Sequence, residues 1–264
     1  MYKKDLDSPK IRVVENFIDD KTCDYLINYA QKEDLWDNFN NSIKSYIFKD
    51  EEEYISAGKQ WNNRRIDINE LYLQGMEYRK DFFDVVLPLQ YQMHEEVIDL
   101  FKPDFDLHSE LWEIVRWKEG NLQEPHVDHI DPDFDLTSVN IDLVPEECKY
   151  FFEERNIEKY KRLFTNKAFT SIIYLNDDYE GGELYFPQHN GFEIKPKKGT
   201  MLIFSGTIDN MHGIKEVTKG TRYTHVTFWS NNISKSSKIA FDKKVDRLLV
   251  DKNNKPIMSV SPTE

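Results

Sequence analysis

The 264-residue chain has only two cysteines, Cys23 and Cys148, too few for a disulfide framework. Cys23 lies in a helix-like run where a thiol serves as a small core side chain, so a reducing, cytoplasmic setting is expected. Positive charge is also scarce: 35 Lys and Arg face 48 Asp and Glu, leaving a net charge of -13. That balance disfavours binding to a phosphate backbone, and nucleic acid is not an expected partner. No apolar run approaches the roughly 18 residues a membrane span needs, and the opening MYKKDLDSPK has no apolar leader core. A soluble chain without a membrane partner follows as the expectation. What is present is a globular composition, 39% hydrophobic and 14% aromatic, at a length that suits one domain over 1–264.

The texture changes along the chain. IRVVENFIDD reads as a strand entering a turn, and DKTCDYLINYAQ as an amphipathic helix with Cys23, Leu26, Ile27 and Ala30 on one face. From Leu71 to Phe101 the period is helical, with a kink or break expected around Pro88. This gives a helix-rich support over about 1–110. Beyond it, LWEIVRW, FTSIIYLND, GELYFP, GTMLIFS and TRYTHVTFW are short β-branched and aromatic runs bounded by turn residues. Many short strands predict a jelly roll, here about 111–230, interrupted by a charged, helical insertion over about 129–167 that covers one mouth of the sheets. The extension from about 231 to 264, including RLLV, reads as a docked or mobile tail.

QEPHVDHIDPDFD carries the chemistry. Residues two apart on a strand share a face, so His126 and Asp128 project together toward something cationic. Later strands hold His212 in DNMHGIKEV and, ten residues on, Arg222 in KGTRYTHVTFW. Two imidazoles and one carboxylate form the facial triad that binds iron(II) and leaves positions for a chelating cosubstrate and oxygen. The planar fork of Arg222 matches the far carboxylate of a metal-chelated dicarboxylate such as 2-oxoglutarate. Alternation sets Arg222 on one face with Thr224, Val226 and Phe228, and an inward arginine needs an anion.

In RWKEGNLQEPHVD, SIIYLNDDYEGGELYFP, GTMLIFS, MHGIKEVTKGTRYTHVTFW and VVENFIDDKTCDYLINYA, the chain resembles the iron(II)/2-oxoglutarate-dependent oxygenases of the prolyl 4-hydroxylase-like group. The resemblance implies a mainly β fold with supporting helices (α+β), whose core is a double-stranded β-helix (jelly roll, cupin-like) flanked by N-terminal helices. It implies His126, Asp128 and His212 as iron ligands, Arg222 as the grip on 2-oxoglutarate, Tyr174 as a hydrogen-bonding partner of the same carboxylate, and Leu184 in the cosubstrate wall. Trp117 and Gln123 stand where relatives often show tyrosines, so Trp117 belongs to a rebuilt wall. The cofactors implied are Fe(II), 2-oxoglutarate as cosubstrate and O2, with ascorbate in a supporting role. Asp128 favours hydroxylation over halogenation, because related halogenases lack that carboxylate. The substrate is a prolyl peptide or a small molecule such as a free amino acid; oligomeric state is left open. The competing class is a metal-binding, cupin-like recognition module without turnover.

Other candidates read as structural. Asp131, Asp133 and Asp135 begin like a calcium loop, but Leu136 replaces the required glycine, so a solvated acidic loop is expected. His225 points away from the face of Arg222 and reads as packed, His94 as a helix-surface residue, and EEEY at 51–54 as a charged loop. Arg64 and Arg65 read as solvated surface cations, against a competing role in meeting an acidic group of the substrate at the mouth.

Overall fold

The structure is a computed structural model that describes residues 1–7, 10–32, 36, 64–68, 71, 76–163 and 167–231. The EEEY loop and the tail with RLLV lie outside the described residues.

Thirteen strands occur among the described residues: β1 (Tyr2–Asp7), β2 (Lys10–Glu15), β3 (Arg65–Asp67), β4 (His108–Lys118), β5 (Gln123–His126), β6 (Lys167–Tyr174), β7 (Glu180–Gly181), β8 (Leu184–Phe186), β9 (Phe192–Ile194), β10 (Met201–Ser205), β11 (His212–Ile214), β12 (Val217–Lys219) and β13 (Thr221–Ser230). Helices α1 (Asp20–Lys32), α2 (Lys80–Phe101) and α3 (Glu154–Leu163) accompany them. A seven-stranded sheet runs β1-β2-β10-β6-β13-β4-β3, and a four-stranded sheet runs β5-β11-β8-β9. All pairings are antiparallel. Neighbours in the large sheet are distant in sequence, as a jelly roll requires.

Alternation along the central strands divides the core into layers. One face of the large sheet sends Trp112, Ile114, Ile173, Met201, Ile203 and Trp229 against Leu26 and Ala30 of α1 and Phe82, Val86, Met93 and Val97 of α2. The other sends Val115, Trp117, Ile172, Tyr174, Leu202 and Phe204 against Leu184, Phe186 and Ile214 of the small sheet. A third cluster, with Phe151, Phe152 and Ile157 from the insertion, packs on Val127 and Met211, neighbours of the sequence-predicted metal ligands.

The helix-rich first 110 residues also carry strands: IRVVENFIDD supplies β2 as expected, and β1 and β3 join it in the large sheet. Two expectations change. Of the kink or break expected at Pro88, the break does not occur: helix α2 continues through it, with Val86, Leu89, Gln90 and Met93 buried on both sides of the proline. His94 is not a helix-surface residue: it packs on Trp229, with ring centroids 5.4 Å apart, and its Nε2 lies 3.2 Å from the Leu107 carbonyl oxygen.

Candidate metal centre

The small sheet aligns β5 and β11 so that His126 stands opposite His212. Their ring centroids are 4.5 Å apart. Asp128 reaches the same point by another route than expected: β5 ends at His126, and the carboxylate comes from the bend beyond it. That bend is held by the Gly206 carbonyl, which accepts from the backbone N–H groups of Asp128 at 2.8 Å and His129 at 2.9 Å. A side chain at position 206 would bring its Cβ within 2.6 Å of Asp128 Cβ, so glycine is needed for this approach.

His126 Nε2 lies 3.7 Å from Asp128 Oδ1, and His212 Nε2 lies 3.5 Å from Oδ2. One ligand atom from each residue falls within 4.8 Å of the other two. Each Nδ1 faces a carbonyl: His126 that of Glu124 at 3.0 Å, His212 that of Asn210 at 3.1 Å. A carbonyl oxygen can only accept, so each Nδ1 donates to it and each Nε2 is the ring atom that faces the metal position. Thr170 donates its hydroxyl to Asp128 Oδ2 at 2.6 Å and orients the carboxylate. The side-chain amide of Gln123 stands 3.1 Å from His126 Nε2 and must yield when a cation binds. Two imidazoles and a carboxylate on one face fit iron(II).

Arg222 is 1% exposed, on the inner face of β13. Its Nη2 donates to the Tyr174 hydroxyl at 3.1 Å, while its Nε and Nη1 are buried without a hydrogen-bond partner. Burial opposes the charge, yet the oxygens of Tyr174 and Tyr179 keep its pKa above the ordinary arginine value. A buried guanidinium with two vacant donors is the half-site for a carboxylate, and this observation fits a dicarboxylate cosubstrate. Gly182, at φ +67°, lets the backbone lie against the Arg222 stem, where a Cβ would be 3.2 Å from Cδ. Trp117 and Leu184 are buried in the same layer as Tyr174, and the guanidinium carbon of Arg222 is 6.0 Å from the Trp117 ring centroid.

The remaining candidates separate. His225 is fully buried on the helix face, between Ile114 and Ile173 on the adjoining strands. Asp131 and Asp135 accept from backbone N–H groups two residues on, at 2.9 Å each, which makes them turn formers. Arg64 and Arg65 are not solvated surface cations: Arg65 pairs with buried Glu113 at 3.4 Å, and Arg64 lies over Trp117. Two residues escaped the sequence reading. Thr170 carried a signal, since it shares the two-residue period with Tyr174 on β6. Tyr179, whose buried hydroxyl is raised in pKa by desolvation and lowered by Arg222, had none, because it follows the strand in a turn.

Residues 112–231 match the family model described as the 2OG-Fe(II) oxygenase superfamily. Human prolyl 3-hydroxylase 2 is 41% identical over 70 residues, covering 25% of this chain and 10% of that protein. Human prolyl 3-hydroxylase 3 is 35% identical over 63 residues, 22% of this chain and 9% of that protein. The chain therefore spans about a tenth of the length of these curated relatives. Among solved structures, a viral collagen prolyl hydroxylase from Paramecium Bursaria Chlorella virus-1 in complex with 2OG aligns at 20% identity and TM-score 0.47, covering 83% of this chain and 94% of that one. A Pseudomonas putida prolyl-4-hydroxylase aligns at 12% identity and TM-score 0.42, over 83% of this chain and 84% of that one.

Proposed function

We propose that this protein is an iron(II)- and 2-oxoglutarate-dependent hydroxylase acting on an aliphatic C–H, a reading supported by the match of residues 112–231 to the family model described as the 2OG-Fe(II) oxygenase superfamily. The observation that carries the proposal is a pairing: two imidazole nitrogens and a carboxylate within 4.8 Å, beside a buried guanidinium with two vacant donors. A recognition module without turnover needs the first and has no use for the second.

In this reading His126, Asp128 and His212 hold iron(II). With 2-oxoglutarate and O2 bound, the metal supplies the oxidation that hydroxylates substrate while the cosubstrate becomes succinate and CO2. The protein's own share is placement. Arg222 and Tyr174 fix the far carboxylate of the cosubstrate, Leu184 and Trp117 wall its carbon chain, and Thr170 keeps Asp128 turned toward the metal. The Glu124 and Asn210 carbonyls accept from each Nδ1–H and so turn each Nε2 toward the metal position. Burial of Asp128 and His212, 6% and 4% exposed, keeps bulk water from the centre.

A prolyl residue in a peptide is the preferred substrate class, supported by the names of the relatives, with a free amino acid as the second. A reducing cytosol suits both, given two free buried thiols. The test is a mass-shift screen of prolyl peptides and free amino acids with enzyme, iron(II), 2-oxoglutarate and ascorbate. One product should gain an oxygen with stoichiometric succinate, and Asp128→Ala should abolish both. No succinate from any substrate, together with no 2-oxoglutarate binding by calorimetry, overturns the reading in favour of the recognition module.

A further inference from the structure

We infer that Arg64 is a substrate-binding residue that receives a carboxylate of the molecule being hydroxylated. The inference rests on the hydroxylase reading above and names the substrate class within it. Arg64 and Arg65 are adjacent in sequence but differ in what they meet. Arg65 finds the buried Glu113 carboxylate at 3.4 Å. Arg64 finds none: its guanidinium carbon lies 5.1 Å from the centroid of the Trp117 ring, and its Nη1 is buried without a hydrogen-bond partner. Burial lowers the pKa of Arg64, and no opposite charge raises it in return. Stacking on an indole offsets part of the cost of desolvation, but it leaves the in-plane N–H donors vacant.

The same indole carries Arg222 at 6.0 Å, which bounds the separation of the two guanidinium carbons at about 11 Å. Two guanidinium groups thus share one buried tryptophan, and among the described residues neither has a carboxylate partner. A dicarboxylate cosubstrate chelating a metal has one carboxylate to spare, and that one belongs to Arg222, the deeper of the two. The cation left over is Arg64. It sits beside the edge strand β3, where the backbone carbonyl of Arg64 accepts from Arg116 N–H at 2.7 Å and fixes the base of the side chain. The remaining anion is the substrate's, and the planar fork fits a carboxylate in two parallel hydrogen bonds. That carboxylate is the terminal one of a free amino acid or acyl amino acid, or an acidic side chain beside the target residue in a peptide.

Calorimetry on the protein loaded with manganese(II) and 2-oxoglutarate separates these sources without turnover. The probes are N-acetyl-L-proline against N-acetyl-L-prolinamide, and N-acetyl-Pro-Asp-amide against N-acetyl-Pro-Asn-amide. In the wild type, at least one acid should bind roughly ten-fold or more tightly than its matched amide. In Arg64→Gln that preference should vanish while 2-oxoglutarate affinity stays within about two-fold; Arg64→Lys should recover part of it. Equal binding of acids and amides, binding of none of the four, or a preference that survives Arg64→Gln overturns the inference. Loss of 2-oxoglutarate binding in the wild type is a different result, and it strikes at the hydroxylase reading instead.

Discussion

The two faces of strand β13 are one residue apart in sequence and opposite in physics. Tyr223, His225, Thr227 and Trp229 turn toward the helices, where Thr227 donates to Gln90 Oε1 at 2.9 Å and Trp229 Nε1 donates to the Ser171 hydroxyl at 2.8 Å, while both ring nitrogens of His225 lie buried without a hydrogen-bond partner. Arg222, Thr224 and Val226 turn toward the small sheet, where donors are left vacant on Arg222 and on the Thr224 hydroxyl. Burial acts on both faces with different outcomes. On the helix face it pushes the pKa of His225 down to about 4, so this histidine is neutral and inert at physiological pH. On the inner face the guanidinium of Arg222 cannot shed its charge, so burial leaves a demand for an anion. A buried group that can shed its charge, as His225 does, needs no ligand; one that cannot, such as Arg222, marks where an anion completes the site.

That contrast breaks most visibly at Arg222. Replacing it with alanine removes two charge-assisted hydrogen bonds, and the 2-oxoglutarate requirement should rise roughly 100-fold or more. Iron loading, read by metal binding without cosubstrate, should change little; equal loss of both contradicts the assigned division of labour.

His225 tests the helix face next. The unfolded chain binds this proton more avidly than the folded protein, whose His225 pKa of about 4 lies below the ordinary 6.5. Stability from this site is therefore complete above about pH 6.5 and is lost as pH falls toward about 4, by roughly 3 kcal/mol in total. Denaturant titrations from pH 7 to 4.5 should show that loss. His225→Leu should flatten the pH slope relative to the wild type while leaving 2-oxoglutarate affinity of the folded protein unchanged. An identical slope in the variant refutes the role of burial at this position.

The smallest expected effect lies at Thr170, which shares the inner face with Tyr174. Thr170→Val keeps the shape but removes the hydroxyl that orients Asp128, and metal affinity should fall about ten-fold. Unchanged affinity, measured by competition with a chelating dye, means that Gly206 alone positions the carboxylate.

Much of this architecture was legible beforehand because period-two alternation and turn residues are local signals. The runs holding Val115, Ile172, Leu184, Leu202 and Val226 are strands where their texture indicated, and the inward direction of Arg222 followed from alternation. The misreadings were of another kind. Arg64 and Arg65 resemble any exposed pair of cations until β3 is seen at the edge of the large sheet, and β1 carries too much charge to announce itself as a strand. His94 looked like a surface residue because the partner that covers it, Trp229, is 135 positions away.

By itself the amino-acid order determined which chemistry was available: two imidazoles, one carboxylate and one guanidinium, each on a segment whose pattern dictates its face. Only the tertiary structure decided that they meet, that Asp128 arrives by a bend clamped on Gly206, and that Arg65 is paired where Arg64 is not. The physical reason is that side-chain direction is set by neighbours one and two residues away, whereas proximity and burial depend on strands paired across 80 positions or more, as His126 and His212 are.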